Sequence, residues 1–339
     1  MRALGWELEE PEIQDWFQMI VFPHKRLLDY FGADCMPVYT HPRSGWKIEI
    51  ETEGDSEFFT NEWGVTLRKP KDGYFFDLHA CPLQGAKDLD DVKKYIWPDP
   101  EDPSRIEGLK ERVEKLRRET DRALVLFNPI GGTHEHSYFL RGLTELLVDL
   151  VENPPIADYL AAKVAEWQAA YFRFVLQEIG PYIDIVQVGD DLGGTNGLIF
   201  SRKMYLRYYK EREKAIIDSI RKFSDAYIYF HSCGSIREVI PDLIDIGVDI
   251  LNPVQIQARH MDSAGLKRDY GKELTFWGGG CDPRVLTTGS PNDVCTEVKS
   301  RIEHFLKDGG FVFASVHNIQ ANDPPENIVA MFETAAQYR

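Results

Sequence analysis

The residues most able to do chemistry in this 339-residue chain sit at the ends of short apolar runs. His231 and Cys233 flank a single serine after the run Ala226–Phe230. Along an extended segment, alternation points both side chains the same way. An imidazole and a thiolate at that spacing can hold one zinc ion if further ligands come from elsewhere. Two such groups follow later runs: Cys281 after Leu274–Trp277, and His317 after Phe311–Ala314. A small buried cysteine in a glycine turn is the plainer reading of Cys281. Asp190 and Asp191 close the run Asp184–Val188 and precede Gly193-Gly194. Such aspartates either orient a substrate and exchange its protons or cap a helix and shape a turn. Glu135, between His134 and His136, follows Ala123–Phe127 and is expected to face the same place. Asn252, Gln255 and Asn318 are expected around a substrate, with Trp277 walling its site.

For residues this far apart to meet, the elements must converge. From about residue 120, apolar runs of four or five alternate with amphipathic stretches of helical period: 138–152, 157–180, 203–223, 236–246, 261–270, 292–307 and 325–337. Strand, loop and helix in repeated short units predict a parallel sheet, and their number suits a closed (β/α)8 TIM barrel. In such a barrel the strands' C-terminal ends form one mouth, where all the polar residues above would fall. Residues 1–120 are irregular, with a helical start at 14–31 and strand-like runs at 46–51 and 73–78. They are read as an α+β extension packed on a barrel formed mainly by 121–339, the whole being one structural domain.

Composition narrows the function classes. Net charge is −16, which repels phosphate backbones and anionic membranes and argues against nucleic acid as a partner. No apolar run has the length of a membrane span, and the acidic first ten residues lack a signal-peptide layout. Five scattered cysteines do not suggest a disulfide framework. A cytoplasmic location is expected. There is no GxGxxG after a strand, no P-loop, and no DxHxxG motif of the kind whose histidine ligates cobalt.

Several stretches together resemble the uroporphyrinogen decarboxylase superfamily, in particular its corrinoid-linked methyltransferases. They are 61–64 (NEWG), 89–99 (LDDVKKYIWPD), 140–142 (LRG), 230–234 (FHSCG), 240–249 (IPDLIDIGVD), 276–279 (FWGG), 317–320 (HNIQ) and 324–327 (PPEN). The resemblance implies a TIM barrel and a zinc ion held by His231 and Cys233 plus a later ligand. That later position, often cysteine in the family, falls on His317, with Cys281 as an alternative or additional ligand. It also implies a corrinoid-binding protein as partner, carrying cobalamin, and a small methyl donor or acceptor, for instance a methyl ether of the O-demethylase type. A cofactor-free decarboxylase is the competing reading. It lacks the arginine-bearing N-terminal stretch, such as RQAGR, that grips a polyanionic tetrapyrrole. A non-catalytic binding protein on the same fold is the third.

Overall fold

In the computed structural model, which describes residues 1–7 and 12–338, seven parallel strands run in sequence order. They are β1 (Cys35–Val38), β2 (Ala123–Leu126), β3 (Ile185–Gly189), β4 (Tyr227–His231), β5 (Ile250–Asn252), β6 (Thr275–Trp277) and β7 (Phe311–Val312). The period-two alternation of β-structure sorts their side chains between two cores. Leu124, Leu126, Val186, Ile228, Phe230, Leu251 and Phe276 face outward and are buried against helices. Val125, Ile185, Tyr229 and Ile250 face inward and form one cluster with Cys35, Ala123, Phe127 and Trp277. Six strands can share an inner cluster only if the sheet curls around it. The architecture is therefore the α/β TIM-barrel type. Among the described residues no eighth strand joins the edges β1 and β7.

The helices that cover the sheet are α1 (Thr133–Arg141), α2 (Leu143–Glu152), α3 (Pro154–Ile179), α4 (Arg202–Tyr208), α5 (Lys210–Arg221), α6 (Ile240–Asp245), α7 (Ser263–Tyr270), α8 (Pro283–Thr288), α9 (Pro291–Phe305) and α10 (Pro325–Ala336). Two of the expected long helices are each broken in two. Between α1 and α2 the chain turns at Gly142, with φ 98°. Between α4 and α5 it turns at Tyr209, which leaves helical geometry and is buried.

The barrel begins earlier than residue 121. β1 pairs in parallel with β2 from Cys35↔Ala123 to Val38↔Leu126, so the segment read as an extension supplies the first strand. Everything between β1 and β2 is one long crossover. It contains a four-stranded antiparallel sheet (Glu51–Glu53, Ser56–Thr60, Thr66–Pro70, Asp77–Ala80) and the helix Leu109–Glu119. Runs 46–51 and 73–78 were expected as strands, but the paired segments lie a few residues later. This crossover is pinned to α1 and α3 by aromatic contacts. Trp63 lies edge-on to His136, Trp97 and Trp167, with centroids 4.1, 6.1 and 4.9 Å apart. The fully buried Arg105 spans the same seam, with a two-point ion pair to Glu62 at 2.8 and 3.1 Å. Its guanidinium stacks on Trp167, 5.3 Å from the centroid. No helix among the described residues is long and apolar enough to cross a membrane.

Candidate metal centre

The strand ends converge as a parallel barrel requires. His231 ends β4, Cys233 follows two residues on, and His317 lies in the loop after β7. One ligand atom from each lies within 4.8 Å of the others. His231 Nε2 is 3.6 Å from Cys233 Sγ, and the two imidazoles are 5.9 Å apart by centroid. Tetrahedral zinc with Zn–N near 2.0–2.1 Å and Zn–S near 2.3 Å sets an N···S edge of about 3.6 Å. The donor set and its spacing therefore fit a zinc ion.

Several of the side chains expected around a substrate also brace the 231–234 loop. Asn252 Nδ2 donates to the Trp277 carbonyl at 3.1 Å, which orients the amide so that Oδ1 faces His231 Nδ1 at 2.7 Å. Nδ1 must then carry the proton, and the Nε2 lone pair is left for a metal. Gln255 Oε1 accepts from Gly234 N at 2.7 Å, and Asp191 Oδ1 accepts from Cys233 N at 2.9 Å. Gly234 has φ +82° and passes so close to Gly193 that a Cβ would sit 2.2 Å from the Gly193 carbonyl oxygen. That approach locks the ligand loop under the Gly193–Leu198 hairpin. Asn318 donates to Gln18, so its amide ties the His317 loop to the antiparallel hairpin of Ile13–Asp15 and Ile20–Val21. Below the triad, Tyr229 lies two residues before His231 on the same face, edge-on to Trp277 at 5.0 Å. Trp277 thus lies beneath the group.

Asp190 and Asp191, adjacent in sequence, part company. Asp190 is fully buried and accepts from the backbone N–H groups of His134 and Glu135 at 2.5 and 2.7 Å, capping the start of α1. Burial raises its carboxyl, and the neighbouring Glu213 raises it further. Glu213, on α5, is itself pushed up to about 8 by burial. Tyr205 donates to it at 2.6 Å. Sequence reasoning missed Glu213 because it stands on a charged helix face. Asp191 stays at the mouth, half-buried, 3.8 Å from His231 Nε2. Glu135 is half-buried in the first turn of α1, and burial, then Asp191, then Asp190, raise its carboxyl well above the usual range. Burial also raises the Cys233 thiol, with Asp191 and Glu135 adding to it. A bound cation would reverse that balance and hold the thiolate. His317 is lowered, first by desolvation and then by His231 beside it.

The structure does not bring Cys281 to this group. Gly278, at φ +110°, and Gly279, at φ +66°, swing the chain outward after β6. Cys281 is buried with Leu286, Val294, Val298, Ile302 and Met331 beneath α8, α9 and α10. Burial pushes its thiol up to about 12. His134 and His136 are also core residues, lowered to about 4 and about 3 by burial.

The parallel α/β barrel thus carries an imidazole–thiol–imidazole group at the C-terminal mouth of its strands, a donor set of the kind that suits a transition metal. Residues 81–338 match the family model for uroporphyrinogen decarboxylase (URO-D), and the chain belongs to that family. Among solved structures, a methyltransferase from Methanosarcina mazei has the same fold. It is 15% identical, with a TM-score of 0.64, over 92% of this chain and 82% of that one. A hyperthermophilic β-glucosidase from Pyrococcus furiosus aligns over 91% and 82% at 11% identity. Its TM-score of 0.42 is too loose to bear on this chain. No curated protein sequence matches.

Proposed function

We propose that the protein is a zinc-dependent methyltransferase that moves a methyl group between a small methyl donor or acceptor and a corrinoid protein. The observation that carries this reading is the convergence of His231, Cys233 and His317 within 4.8 Å at the barrel mouth. A decarboxylase that works without a cofactor has no use for that arrangement. The family membership and the fold shared with a methyltransferase support it.

Zinc bound there would act as a Lewis acid on an alkoxide, phenoxide or thiolate, the heteroatom between which and cobalt the methyl group passes. The chain's own residues do the rest. Asn252 fixes the His231 tautomer, and Gln255 and Asp191 hold the ligand loop. Glu135, whose carboxyl burial and then Asp191 and Asp190 raise, would stand as the proton or hydrogen-bond donor to a departing heteroatom. Tyr229 and Trp277 give the methyl-bearing group an aromatic floor, which suits a methyl aryl ether.

The test has two parts. Purified protein should hold about one zinc per chain. It should also methylate a cobalt(I) corrinoid from one of a panel of methoxylated aromatics, methanol and methylamines, or demethylate methylcobalamin onto a thiol, followed by methylcobalt absorbance. No transfer in either direction, with carbon dioxide released from a carboxylated substrate, would replace this reading with the decarboxylase one.

A further inference from the structure

We propose that the protein has a second ligand site, a groove on the barrel rim that takes the phosphate group of a small phosphorylated molecule. It shares no lining residue with His231, Cys233 and His317, and it does not depend on the zinc reading. Loops that follow three consecutive strands build it: the Gly193–Leu198 hairpin after β3, residues 235–238 after β4 and residues 259–260 after β5. They enclose about 270 Å³, lined chiefly by Asn196, Leu198, Ser235, Arg237, Arg259 and His260. Hydrogen bonds stitch the three loops together. Ser235 N donates to the Gly194 carbonyl at 2.8 Å, and Arg259 N donates to the Thr195 carbonyl at 2.9 Å. The Ser235 hydroxyl, itself buried, donates to the Arg259 carbonyl at 2.6 Å. The groove is therefore preformed, and little of it has to be ordered when a ligand enters.

Charge gives the groove its preference. The chain as a whole carries −16, which disfavours anions. The rim reverses that locally. Arg237 is already committed: it donates to the His260 carbonyl at 3.1 Å, pairs with Asp269 and lies over the Tyr270 ring. Glu238, the one acid on the groove, stands within Coulombic reach of Arg202. Arg259 is left over. Among the described residues, no hydrogen bond or ion pair engages its guanidinium. A guanidinium presents its N–H groups as a planar fork that matches two oxygens of a phosphate. Beside it, His260 sits at φ +62°, a left-handed backbone uncommon outside glycine. Strain of this kind gathers at ligand sites. The enclosed volume approaches the ~300 Å³ at which small-molecule pockets begin and exceeds what a bare phosphate needs. Leu198 adds an apolar wall for the organic part.

The experiment is calorimetric titration of the purified protein at low salt with glycerol 3-phosphate and, separately, with inorganic phosphate. Wild type, Arg259→Ala and Arg284→Ala are compared, the last removing an exposed arginine on α8 away from the groove. Glycerol 3-phosphate should bind the wild type with a dissociation constant below about 1 mM. Arg259→Ala should weaken it about tenfold or more, the loss of charge-assisted hydrogen bonds, while Arg284→Ala should leave it unchanged. Because the Arg259 side chain is exposed and makes no polar contact within the chain, its variant should keep the wild-type Tm. Inorganic phosphate should bind less tightly than the ester. Absence of binding to the wild type would overturn the proposal, as would equal weakening in both arginine variants, the pattern of unspecific charge. Inorganic phosphate binding as tightly as the ester would overturn the assignment to a phosphorylated organic molecule and leave a site for the free anion. Binding should persist after chelator treatment, so failure here and failure of the zinc reading are distinguishable.

Discussion

Cys233 and Cys281 look alike in the sequence, each a thiol a few residues past a buried parallel strand, yet they end in opposite environments. After β4 the chain continues straight, keeps the alternation of the strand, and delivers Cys233 to the mouth beside His231. After β6 two glycines with positive φ turn the chain away, and Cys281 goes under the outer helices. The extended chain after β4 thus brings a thiol to the mouth, and the glycine turn after β6 carries one away. Residue type alone does not distinguish a ligand from packing.

The sharpest way to break this comparison is metal analysis of the two thiols. Cys233→Ala and His231→Ala should lose essentially all zinc, whereas Cys281→Ala should keep about one per chain. Cys281→Ala should instead lose about 1–2 kcal/mol of stability in urea unfolding, the cost of a small cavity. Equal zinc loss in both cysteine variants would erase the distinction. The next largest effect belongs to Asn252. Asn252→Leu fills a similar volume but releases His231 Nδ1 from its acceptor, and zinc affinity should fall roughly 10–100-fold in a chelator competition. Unchanged affinity would mean that the 2.7 Å contact does not set the tautomer.

A further test uses thiol reactivity. In chelator-treated protein at pH 7.5, Cys233 should react slowly with iodoacetamide despite its partial exposure, because burial and the two nearby carboxyls keep it protonated. Fast alkylation would contradict the acidic surroundings assigned to the mouth. A separate effect lies behind the mouth, at Glu213. Its folded-state value near 8 lies above the ordinary 4.5 of a glutamate. Between those values the folded state holds the proton and the unfolded state has released it, so stability falls as pH rises from about 4.5 to about 8. Glu213→Gln should therefore gain stability relative to wild type as pH rises through that window, read as a widening difference in Tm. A difference independent of pH would show that the buried carboxyl is not protonated.

Much of the architecture was legible because it depends on local periodicity. Runs such as Ala123–Phe127 and Ala226–Phe230 have the length and apolarity of buried strands, and the strands Ala123–Leu126 and Tyr227–His231 fall on them. The first barrel strand was not legible. Cys35–Val38 carries a proline and is separated from its partner by more than eighty residues of crossover, so nothing local marks it as part of the same sheet. His231, Cys233 and His317, which converge, could be named because histidine and cysteine at strand ends carry a recognisable chemistry, and Cys281, which does not join them, was named for the same reason. The roles of Asn252 and Gln255 could not, because hydrogen bonds to His231 Nδ1 and Gly234 N are set by how neighbouring strands meet. Asp190 and Asp191 were inseparable in the sequence for the same reason. Only the packing of α1 over β3 decides which one caps a helix.

The hydrogen bond from Asn318 to Gln18 has a consequence for how the protein is made. It joins positions 300 residues apart, and the loop it steadies carries His317. Closing a contact of such long range is slow and comes late in folding. A chain still emerging from the ribosome would expose His231 and Cys233 for many seconds before the third ligand is synthesised. During that interval the pair can hold a metal only weakly. The docking of the Ile13–Val21 hairpin against the His317 loop thus decides when the three candidate ligands come together.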